Sequence, residues 1–369
     1  MDSLTQVVLG AAVGYAVGGK ALGKKSLLLG ATAGLIPDLD VIPLLPFDNE
    51  FFFLKHHRGF SHSLIFTVLG SLGFTWMFQQ LFGTAVTEVQ DTEKQVSNTQ
   101  FDKLIVREKT QVRSVFRLCK TPLFKIFFYG FLTHILLDCF TTWGTQIFWP
   151  HPHRVAWNSV FIIDPMYTVP LIIAILGAWV SRSKNKQSSW IKLGLGLSSL
   201  YLILGLGVKA YMHTQFTTLF EKNNIEVLRY TSRPSPFNII LWSSTAETQN
   251  GYYYGMVSLL DKGYENKLYY TPKNHHLFPK NKQDKNTQEL LSYTKGYYSV
   301  ATQNDAILIH DLRYGFMGDP WQNGPNYVFS YLITKDSNEK TTLKTINPRP
   351  KNTDELLQQL WVRIKGLDH

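Results

Sequence analysis

Histidines and aspartates inside otherwise apolar segments are the feature that most constrains how this chain folds. They occur in PDLD (37–40), in HHRGFSH (56–62), and as His134 and Asp138 within HILLD. Carboxylates and imidazoles are costly to bury at membrane depth, so they are found there with partners or with a bound cation. The pattern therefore predicts a metal site between membrane helices and favours an enzyme over a passive membrane anchor.

The composition changes along the chain in a way that indicates two domains. Residues 1–213 are rich in Leu, Ile, Phe, Gly and Ala, whereas residues 214–369 alternate aromatic and β-branched residues with Asn, Lys, Thr and Gly. We predict an α-helical membrane domain over 1–213, followed by a soluble β-rich (α+β) domain of about seven strands over 214–369. An amphipathic helix is predicted at 353–364.

About six membrane spans are predicted in the first domain. Several of the apolar segments approach the roughly 20 residues that are needed to cross a bilayer. The first segment is short, and Pro37, Pro43 and Pro46 interrupt the second. The polar stretch 84–114 is predicted to be a cytoplasmic insertion. The segments lie at about 4–18, 26–46, 60–83, 115–140, 160–180 and 190–212.

The net charge of +10 could indicate a nucleic-acid partner, but its distribution indicates membrane topology instead. Fifteen Lys and Arg residues lie in or next to alternate connections between the spans, and three lie on the opposite side before the last domain. By the positive-inside rule, the fifteen are cytoplasmic. Six spans then place both termini and the 214–369 domain outside the cell membrane. The three residues on the outer side are Lys55, Arg58 and Arg154.

This topology places the polar residues of the apolar segments at one face of the membrane. His134 and Asp138 are four residues apart, so on a helix they project from the same side. Pro37 interrupts regular helix beside Asp38 and Asp40 and allows their carboxylates to turn toward a cavity. The residues predicted to converge at the outer face are Asp38, Asp40, His56, His57, His62, His134, Asp138 and Asp164.

The ligand types indicate which metal the site would prefer. Carboxylates combined with neutral imidazoles suit zinc, manganese or iron better than calcium, which prefers oxygen ligands. Three or more protein ligands with an open position would lower the pKa of a bound water and generate hydroxide near neutral pH. Cys119 and Cys139 match neither a disulfide framework nor a paired-thiolate metal motif.

Several motifs together resemble one known family. They are the opening MDSLTQ, PDLD, HHRGFSHS, HILLDCFTTWGTQIFWP and FIIDP (161–165). In this combination and order the chain resembles the YdjM-like family of inner-membrane metal-dependent hydrolases over about residues 1–180. The order of Asp, His and HxxxD also looks loosely like zinc-dependent phospholipase C and S1/P1-type nucleases, which by analogy favours phosphoesters.

The resemblance implies a bound divalent metal and hydrolase activity. Among the candidate ligands, our own catalytic candidates are Asp40, which could instead act as the general base, and His57. Gln6 departs from the family, because relatives commonly have a His there; either the site has one imidazole fewer, or Gln6 supports a ligand by hydrogen bonding. The family's polar motif positions fall on Asp38, Asp40, His57, His62, His134 and Asp138.

Two further residues are candidates for contact with the substrate. Arg58, next to the histidines, can pair with a phosphate or instead extend to the membrane surface. Asp164 can contact the substrate or instead cap the helix that follows it.

The sequence therefore predicts a membrane-embedded hydrolase that uses one or two divalent ions, zinc or manganese, to activate water. Its predicted substrate is an ester or phosphoester of a lipid or lipid-linked molecule, and its predicted location is the bacterial inner membrane, without a nucleic-acid partner. Two alternatives stay open. A metal-ion transporter or sensor would need polar residues that continue to the cytoplasmic side. A non-catalytic scaffold would use the metal only to hold helices together.

Overall fold

The computed structural model describes residues 1–44, 50–82, 118–262, 267–278, 283–303, 306–335, 341–347 and 352–366. The predicted cytoplasmic insertion at 84–114 lies outside them. The first half forms α1 (Ser3–Leu22), α2 (Lys25–Leu35), α3 (Glu50–His56), α4 (Leu64–Phe82), α5 (Pro122–Cys139), α6 (Pro165–Val180) and α7 (Lys184–Lys222). Short 3-10 segments at Ile36–Leu44 and Phe60–His62 carry the first polar motifs.

Helices α1 and α2 pack backbone against backbone through glycines. A Cβ on Gly30 would lie 2.2 Å from the carbonyl oxygen of Gly10, and a Cβ on Gly34 would lie 2.2 Å from that of Gln6. Small residues in this spacing allow helices to approach closely inside a membrane. Helix α2 ends at Leu35, two residues before Pro37, and the chain continues as the 3-10 segment that holds the PDLD motif.

The prediction of six membrane spans is wrong in number. Within the part of the chain that the structure describes, three helices are long and apolar enough to cross a membrane: Leu64–Leu81, Pro122–Cys139 and Lys184–Lys222. The predicted second span fails because α2 has 11 residues, and α6 is an apolar helix of 16 residues. Helix α1 has 20 residues, but twelve of them are buried against other helices and many are Gly or Ala.

Helix α7 leads from the membrane half into the second half. It contains 39 residues, so it is about 58 Å long at 1.5 Å per residue. The predicted domain boundary at 213 falls inside this helix, which continues to Lys222 before the first strand begins.

The second half contains two antiparallel four-stranded sheets, which agrees with the predicted β-rich domain. The strands follow chain order in each sheet, β1-β2-β3-β4 and β5-β6-β7-β8. Helix α10 (Thr353–Ile364) confirms the helix predicted at 353–364. The strands are β1 (Arg229–Pro234), β2 (Leu241–Glu247), β3 (Gly251–Ser258), β4 (Leu268–Pro272), β5 (Tyr298–Gln303), β6 (Ala306–Asp311), β7 (Ser330–Lys335) and β8 (Thr341–Ile346). The remaining helices are α8 (Lys285–Tyr293), α9 (Pro320–Asn323) and the 3-10 turn His275–Leu277.

The short helix α3 connects the two halves directly. Phe51 and Leu54 belong to the same buried apolar cluster as Val300 and Tyr331 of the second sheet. Glu50 accepts hydrogen bonds from the backbone and hydroxyl of Thr345 in β8. Because α3 leads straight into the HHRGFSH motif, the second sheet holds the segment that carries this motif.

Candidate metal centre

Four of the predicted ligands come together near the N-terminal end of α4. Asp38 comes from the 3-10 segment after α2, His62 from the turn before α4, and His134 and Asp138 from one side of α5. The side chains of His62, His134 and Asp138 are fully buried, whereas that of Asp38 is 13% exposed. Asp38 therefore marks the side from which this group can be reached.

The distances within the group suit a tetrahedral ion. The Nε2 atoms of His62 and His134 are 3.2 Å apart, and Asp38 Oδ1 lies 3.4 Å from each of them. Asp138 Oδ2 lies 3.4 Å from Nε2 of His62 and 3.7 Å from Nε2 of His134. Ligands about 2.0–2.1 Å from a tetrahedral zinc ion are about 3.3 Å from one another. Four of these five distances are within about 0.1 Å of that spacing, and the fifth, at 3.7 Å, is slightly longer.

His62 and His134 are each hydrogen-bonded through Nδ1, which leaves the two Nε2 atoms facing each other. His134 Nδ1 lies 2.8 Å from the carbonyl oxygen of Gly34, so this nitrogen carries the proton. Ser61 Oγ donates to Asp40 and accepts from His62 Nδ1 at 2.8 Å. In the neutral imidazoles both Nε2 atoms are then unprotonated, and two lone pairs at this distance repel unless a cation or a proton lies between them.

Asp138 is oriented by the residues around it. Its Oδ1 accepts a hydrogen bond from Gln6 Nε2 at 3.0 Å and contacts the amino group of Met1. Its Oδ2 is buried without a hydrogen-bond partner in the described structure, although Arg58 Nε lies 3.4 Å away. A carboxylate with one fixed and one free oxygen, the free one facing two imidazoles, is suited to bind a metal ion.

The hydrogen bonds of Gln6 favour the second of its two predicted roles, support of a ligand, which stays a prediction. Its amide nitrogen bonds both Asp138 Oδ1 and, at 3.3 Å, the carbonyl oxygen of His134. Gln6 therefore holds the Asp138 carboxylate and the backbone of His134, while its own Oε1 is buried without a hydrogen-bond partner in the described structure.

The pKa values of His57 and His62, two histidines of the HHRGFSH motif, are shifted in opposite directions. Burial alone would lower the pKa of His62, but the facing carboxylates of Asp138 and Asp38 raise the pKa above its usual value. Burial lowers the pKa of His57, and the adjacent Asp40 only partly opposes this effect. Without a metal, His62 is thus the histidine of this pair that attracts a proton, and a cation would replace that proton.

Asp40 and His57 form a separate pair beside the group of four. His57 Nδ1 lies 3.0 Å from Asp40 Oδ1, and Asp40 Oδ2 accepts from the backbone of Arg58 at 2.9 Å and from Ser61 Oγ at 3.0 Å. The predicted set of six ligands is therefore divided into four and two. The reason is local: residues two apart on a 3-10 helix, with three residues per turn, point in different directions.

The two predicted substrate contacts lie in different environments. Arg58, with a backbone φ of 57°, is 4% exposed and lies between Asp138 and a cavity. Asp164 is fully buried; it accepts from the backbone of Met166 and from the hydroxyl of Tyr201 at 2.9 Å. Asp164 thus caps α6, and its predicted contact with a substrate stays a prediction.

A cavity of about 500 Å³ lies between the segment that carries His57 and Arg58 and the second sheet. Its size is within the range of small-molecule binding sites. His57 and Arg58 line it on one side, and aromatic residues of both halves line much of the rest. Its lining also includes Glu50, Phe53, Leu54, Trp143, Ile162, Phe329, Tyr331, Thr345 and Asn347.

Sequence reasoning did not identify three parts of this site. The carbonyl of Gly34 has no sequence signal, because any residue could supply it. Ser61 was present within HHRGFSH, between two ligand candidates, but a serine there has many uses. Trp143 was quoted only as part of a family motif, and the cavity that it lines depends on contacts with the second half.

Comparison with known proteins covers the helical half. A family model described as YdjM inner membrane protein matches residues 1–215. No curated protein and no solved structure matches the chain. The matched region includes all four grouped ligands and more than half of the chain. The chain therefore belongs to the YdjM inner membrane protein family.

Proposed function

We propose that this protein is a membrane-embedded, metal-dependent hydrolase. The observation that carries the proposal is the group of four atoms, Asp38 Oδ1, His62 Nε2, His134 Nε2 and Asp138 Oδ2. Its two imidazole nitrogens lie 3.2 Å apart, and its imidazole–carboxylate distances are 3.4–3.7 Å. These residues would hold one divalent ion, zinc or manganese, since mixed imidazole and carboxylate ligands suit both metals. When bound, the ion supplies an activated water and polarises the scissile ester.

The protein's own residues divide the remaining tasks. Asp40 holds His57 by its Nδ1 atom, which leaves Nε2 of this imidazole available to accept or donate a proton. His57 lines the cavity, so a proton can pass between this ring and a bound substrate. Arg58, which contacts both Asp138 and the cavity, orients the substrate's polar group.

The cavity supports a lipid or lipid-linked substrate. Phe53, Leu54, Ile162 and Phe329 give it an apolar lining beside the polar groups of His57 and Arg58. An amphiphile with an ester or phosphoester head group matches this division. The bilayer that surrounds the helical half would deliver such a substrate.

We further propose that the protein is a multi-pass protein of the bacterial inner membrane, with the metal group and the β-rich domain on the outer side. The chain after α4 is rich in Lys and Arg, and Arg182, Lys184 and Lys186 lie where α6 gives way to α7, so the positive-inside rule favours a cytoplasmic location for both regions. The opposite ends of these helices bear the metal group and the strands. Labelling of single cysteines introduced at exposed positions such as Leu260 and Arg182 would test this orientation.

Ion transport is the second candidate, and one observation bears on it. Thr67, Ser71 and Thr75 are buried along α4, beginning close to His62. Thr67 donates to the carbonyl oxygen of Ser63, the residue before α4, and Ser71 donates to that of Thr67. The described part of this column has hydroxyls but no carboxylate or imidazole, so it offers a dehydrated metal ion weak ligands.

Metal content and lipid hydrolysis in detergent-purified protein test the proposal together. Wild type should hold about one equivalent of zinc or manganese per chain and cleave phosphoester lipids after metal loading. The double variant His134→Ala/Asp138→Ala should lose both properties. Tyr129→Phe changes an exposed residue of the same helix and should keep both.

The outcomes separate the three candidates. Metal without hydrolysis of any ester or phosphoester, together with unfolding of the double variant, would favour the scaffold. Metal-dependent uptake of the ion into proteoliposomes would favour transport. Absence of metal from wild type after reconstitution would refute both the hydrolase and the metal site.

A further inference from the structure

Buried arginines without acidic partners gather where the two halves meet. Arg154 and Arg233 are 7% and 6% exposed, and neither forms an ion pair with a carboxylate in the described structure. Arg313 is also buried, but it is bonded through two nitrogens to Asp311 at 2.6 and 3.0 Å. Removing a guanidinium from water without an anion is costly, so the two unpaired arginines need an explanation.

Several N–H groups of Arg154 and Arg233 are buried without a hydrogen-bond acceptor. Arg154 gives one nitrogen to backbone carbonyls, among them that of His57 at 2.8 Å, and lies 5.2 Å over the ring of Tyr293, while its Nε and Nη1 are buried without a hydrogen-bond acceptor. Both terminal nitrogens of Arg233 are buried without a partner. Buried donors are nearly always bonded in native proteins. Four unpaired guanidinium nitrogens therefore indicate that acceptor atoms bind here.

Two aromatic residues add further unpaired groups. The hydroxyl of Tyr314 and the indole N–H of Trp143 are buried without a hydrogen-bond partner, and the two rings are 6.4 Å apart. Burial raises the pKa of Tyr314 to about 12, so this hydroxyl keeps its proton and can donate it in a hydrogen bond.

These groups lie close to one another. The Arg313 guanidinium is 5.2 Å from the Tyr314 ring, and Arg233 packs against the next residue, Gly315, where a Cβ would lie 2.3 Å from its Nη2. Arg58 and Arg154 both lie within electrostatic range of Tyr314. The cluster thus combines residues of the helical half with residues of the β-rich half.

We infer that Arg154, Arg233, Tyr314 and Trp143, together with Arg58, form a buried site for a phosphate group. Several guanidinium donors suit a phosphate, which has more acceptor oxygens than a carboxylate and is bound by arginine through paired hydrogen bonds. Trp143 and Arg58 also line the 500 Å³ cavity, so the phosphate would belong to the ligand of that cavity. The β-rich domain would then complete the binding site by supplying Arg233 and Tyr314.

This inference deepens the proposed function and rests on it only for the reaction that follows binding. Arg58 lies 3.4 Å from Asp138 and therefore connects the phosphate site to the metal group. A phosphate held here would place the ester bonds of a phospholipid, or of a smaller phosphate ester, on the side of Asp138, one of the residues that would hold the metal.

Phosphate binding by the full-length protein tests the inference without any need for hydrolysis. The thermal unfolding midpoint is measured in detergent with EDTA, with inorganic phosphate titrated against sodium chloride of equal ionic strength. A parallel series uses phosphatidylcholine nanodiscs with and without phosphatidic acid. Wild type should show a saturable rise with phosphate, phosphatidic acid or both; phosphate alone indicates a soluble ester, and phosphatidic acid alone indicates a lipid.

Variants separate binding from folding. Arg154→Gln should weaken the phosphate response at least about tenfold, since it removes charge-assisted donors. Tyr314→Phe removes a hydroxyl that has no partner in the described structure, so it should fold at least as well as wild type yet respond less to phosphate. The exposed control Arg182→Gln should respond as wild type does.

His134→Ala distinguishes this inference from the proposed function, because it removes a metal ligand and should keep the phosphate response. Retention of metal in Arg154→Gln would complete the separation. A wild type that responds to neither phosphate nor phosphatidic acid beyond chloride would overturn the phosphate site. An unchanged response in both Arg154→Gln and Tyr314→Phe would overturn it as well.

Discussion

The group of four candidate metal ligands and the arginine cluster differ in the sign of the ligand that each would bind. The metal group places Asp38 and Asp138 against two imidazoles whose lone pairs face each other. The arginine cluster, defined by Arg58, Arg154, Arg233 and Arg313 around Tyr314, has Asp311 beside Arg313 and Asp138 at 3.4 Å from Arg58, but Arg154 and Arg233 form no ion pair among the described residues. The first group calls for a cation and the second for an anion, so the chemistry of each ligand can be inferred from what its site leaves unpaired.

The origin of the residues differs as well. All members of the metal group lie within residues 38–138, on segments packed around α5. The arginine cluster takes residues from 58 to 313 and needs both halves in place. Damage to one half should therefore affect the two sites differently.

The largest expected effect is on metal binding. Asp138→Asn keeps the shape of the side chain but removes a charged ligand, and we expect metal affinity to fall more than about 100-fold, or about 3 kcal/mol. Ser61→Ala only frees the ring of His62 and should cost about tenfold. Competition with a zinc-binding dye measures both. Equal losses in the two variants would contradict the assignment of Asp138 as a ligand.

The next effect is on the packing of the helical half. Gly30→Val should destabilise the protein by about 3 kcal/mol, because its Cβ would collide with the backbone of Gly10. The displaced α2 would also remove the Gly34 carbonyl that orients His134, so metal binding should weaken. Gly207→Val is the matched control, since a Cβ there meets nothing within 4 Å. Thermal unfolding of both variants would measure this difference.

A smaller effect concerns the β-rich half and its pH dependence. Burial lowers the pKa of His310 from 6.5 to about 4, so below pH 6.5 the unfolded chain binds a proton that the folded chain refuses. The free energy of unfolding should therefore fall as the pH decreases from 6.5 to 4, by up to about 3 kcal/mol, with no contribution from His310 above this range. Urea unfolding of wild type and His310→Gln at several pH values would measure it. A slope that is the same in both proteins would contradict it.

The smallest effect tests whether Asp164 belongs to either site. Tyr201→Phe removes a hydrogen bond to this carboxylate and should cost about 1 kcal/mol of stability. Metal content and phosphate response should stay unchanged. A change in substrate affinity without a change in the unfolding midpoint would instead restore Asp164 as a substrate contact.

The sequence predicted the metal group better than its surroundings. His62, His134, Asp138 and Asp38 could be identified because such residues are rare in apolar segments. Their separation from Asp40 and His57 could not, since it depends on the direction of each side chain along a 3-10 turn. Arg154 was counted only as a topology charge, because its neighbour Tyr314 is 160 positions away in the sequence.

The fold shows a similar division. Alternating aromatic and β-branched residues correctly predicted antiparallel strands after residue 214. Counting apolar residues predicted about six spans, whereas three helices among the described residues meet the requirements of length and hydropathy. Proline at 37 shortened one segment, and glycine-rich packing gave α1 a buried rather than a strongly apolar surface.

The unbroken helix α7 has a consequence for how the two halves keep their alignment. A flexible linker would set only the maximum distance between them, but a continuous helix also sets their relative rotation. Each inserted residue would turn the β-rich half by about 100° and shift it by about 1.5 Å. One alanine added in the middle of α7 should therefore misalign Arg233 with Arg154, whereas seven, close to two full turns, should nearly restore the angle at the cost of about 10 Å in height. The number of residues in α7 therefore determines the rotation of the β-rich half relative to the helical half, and with it the alignment of a site that both halves form.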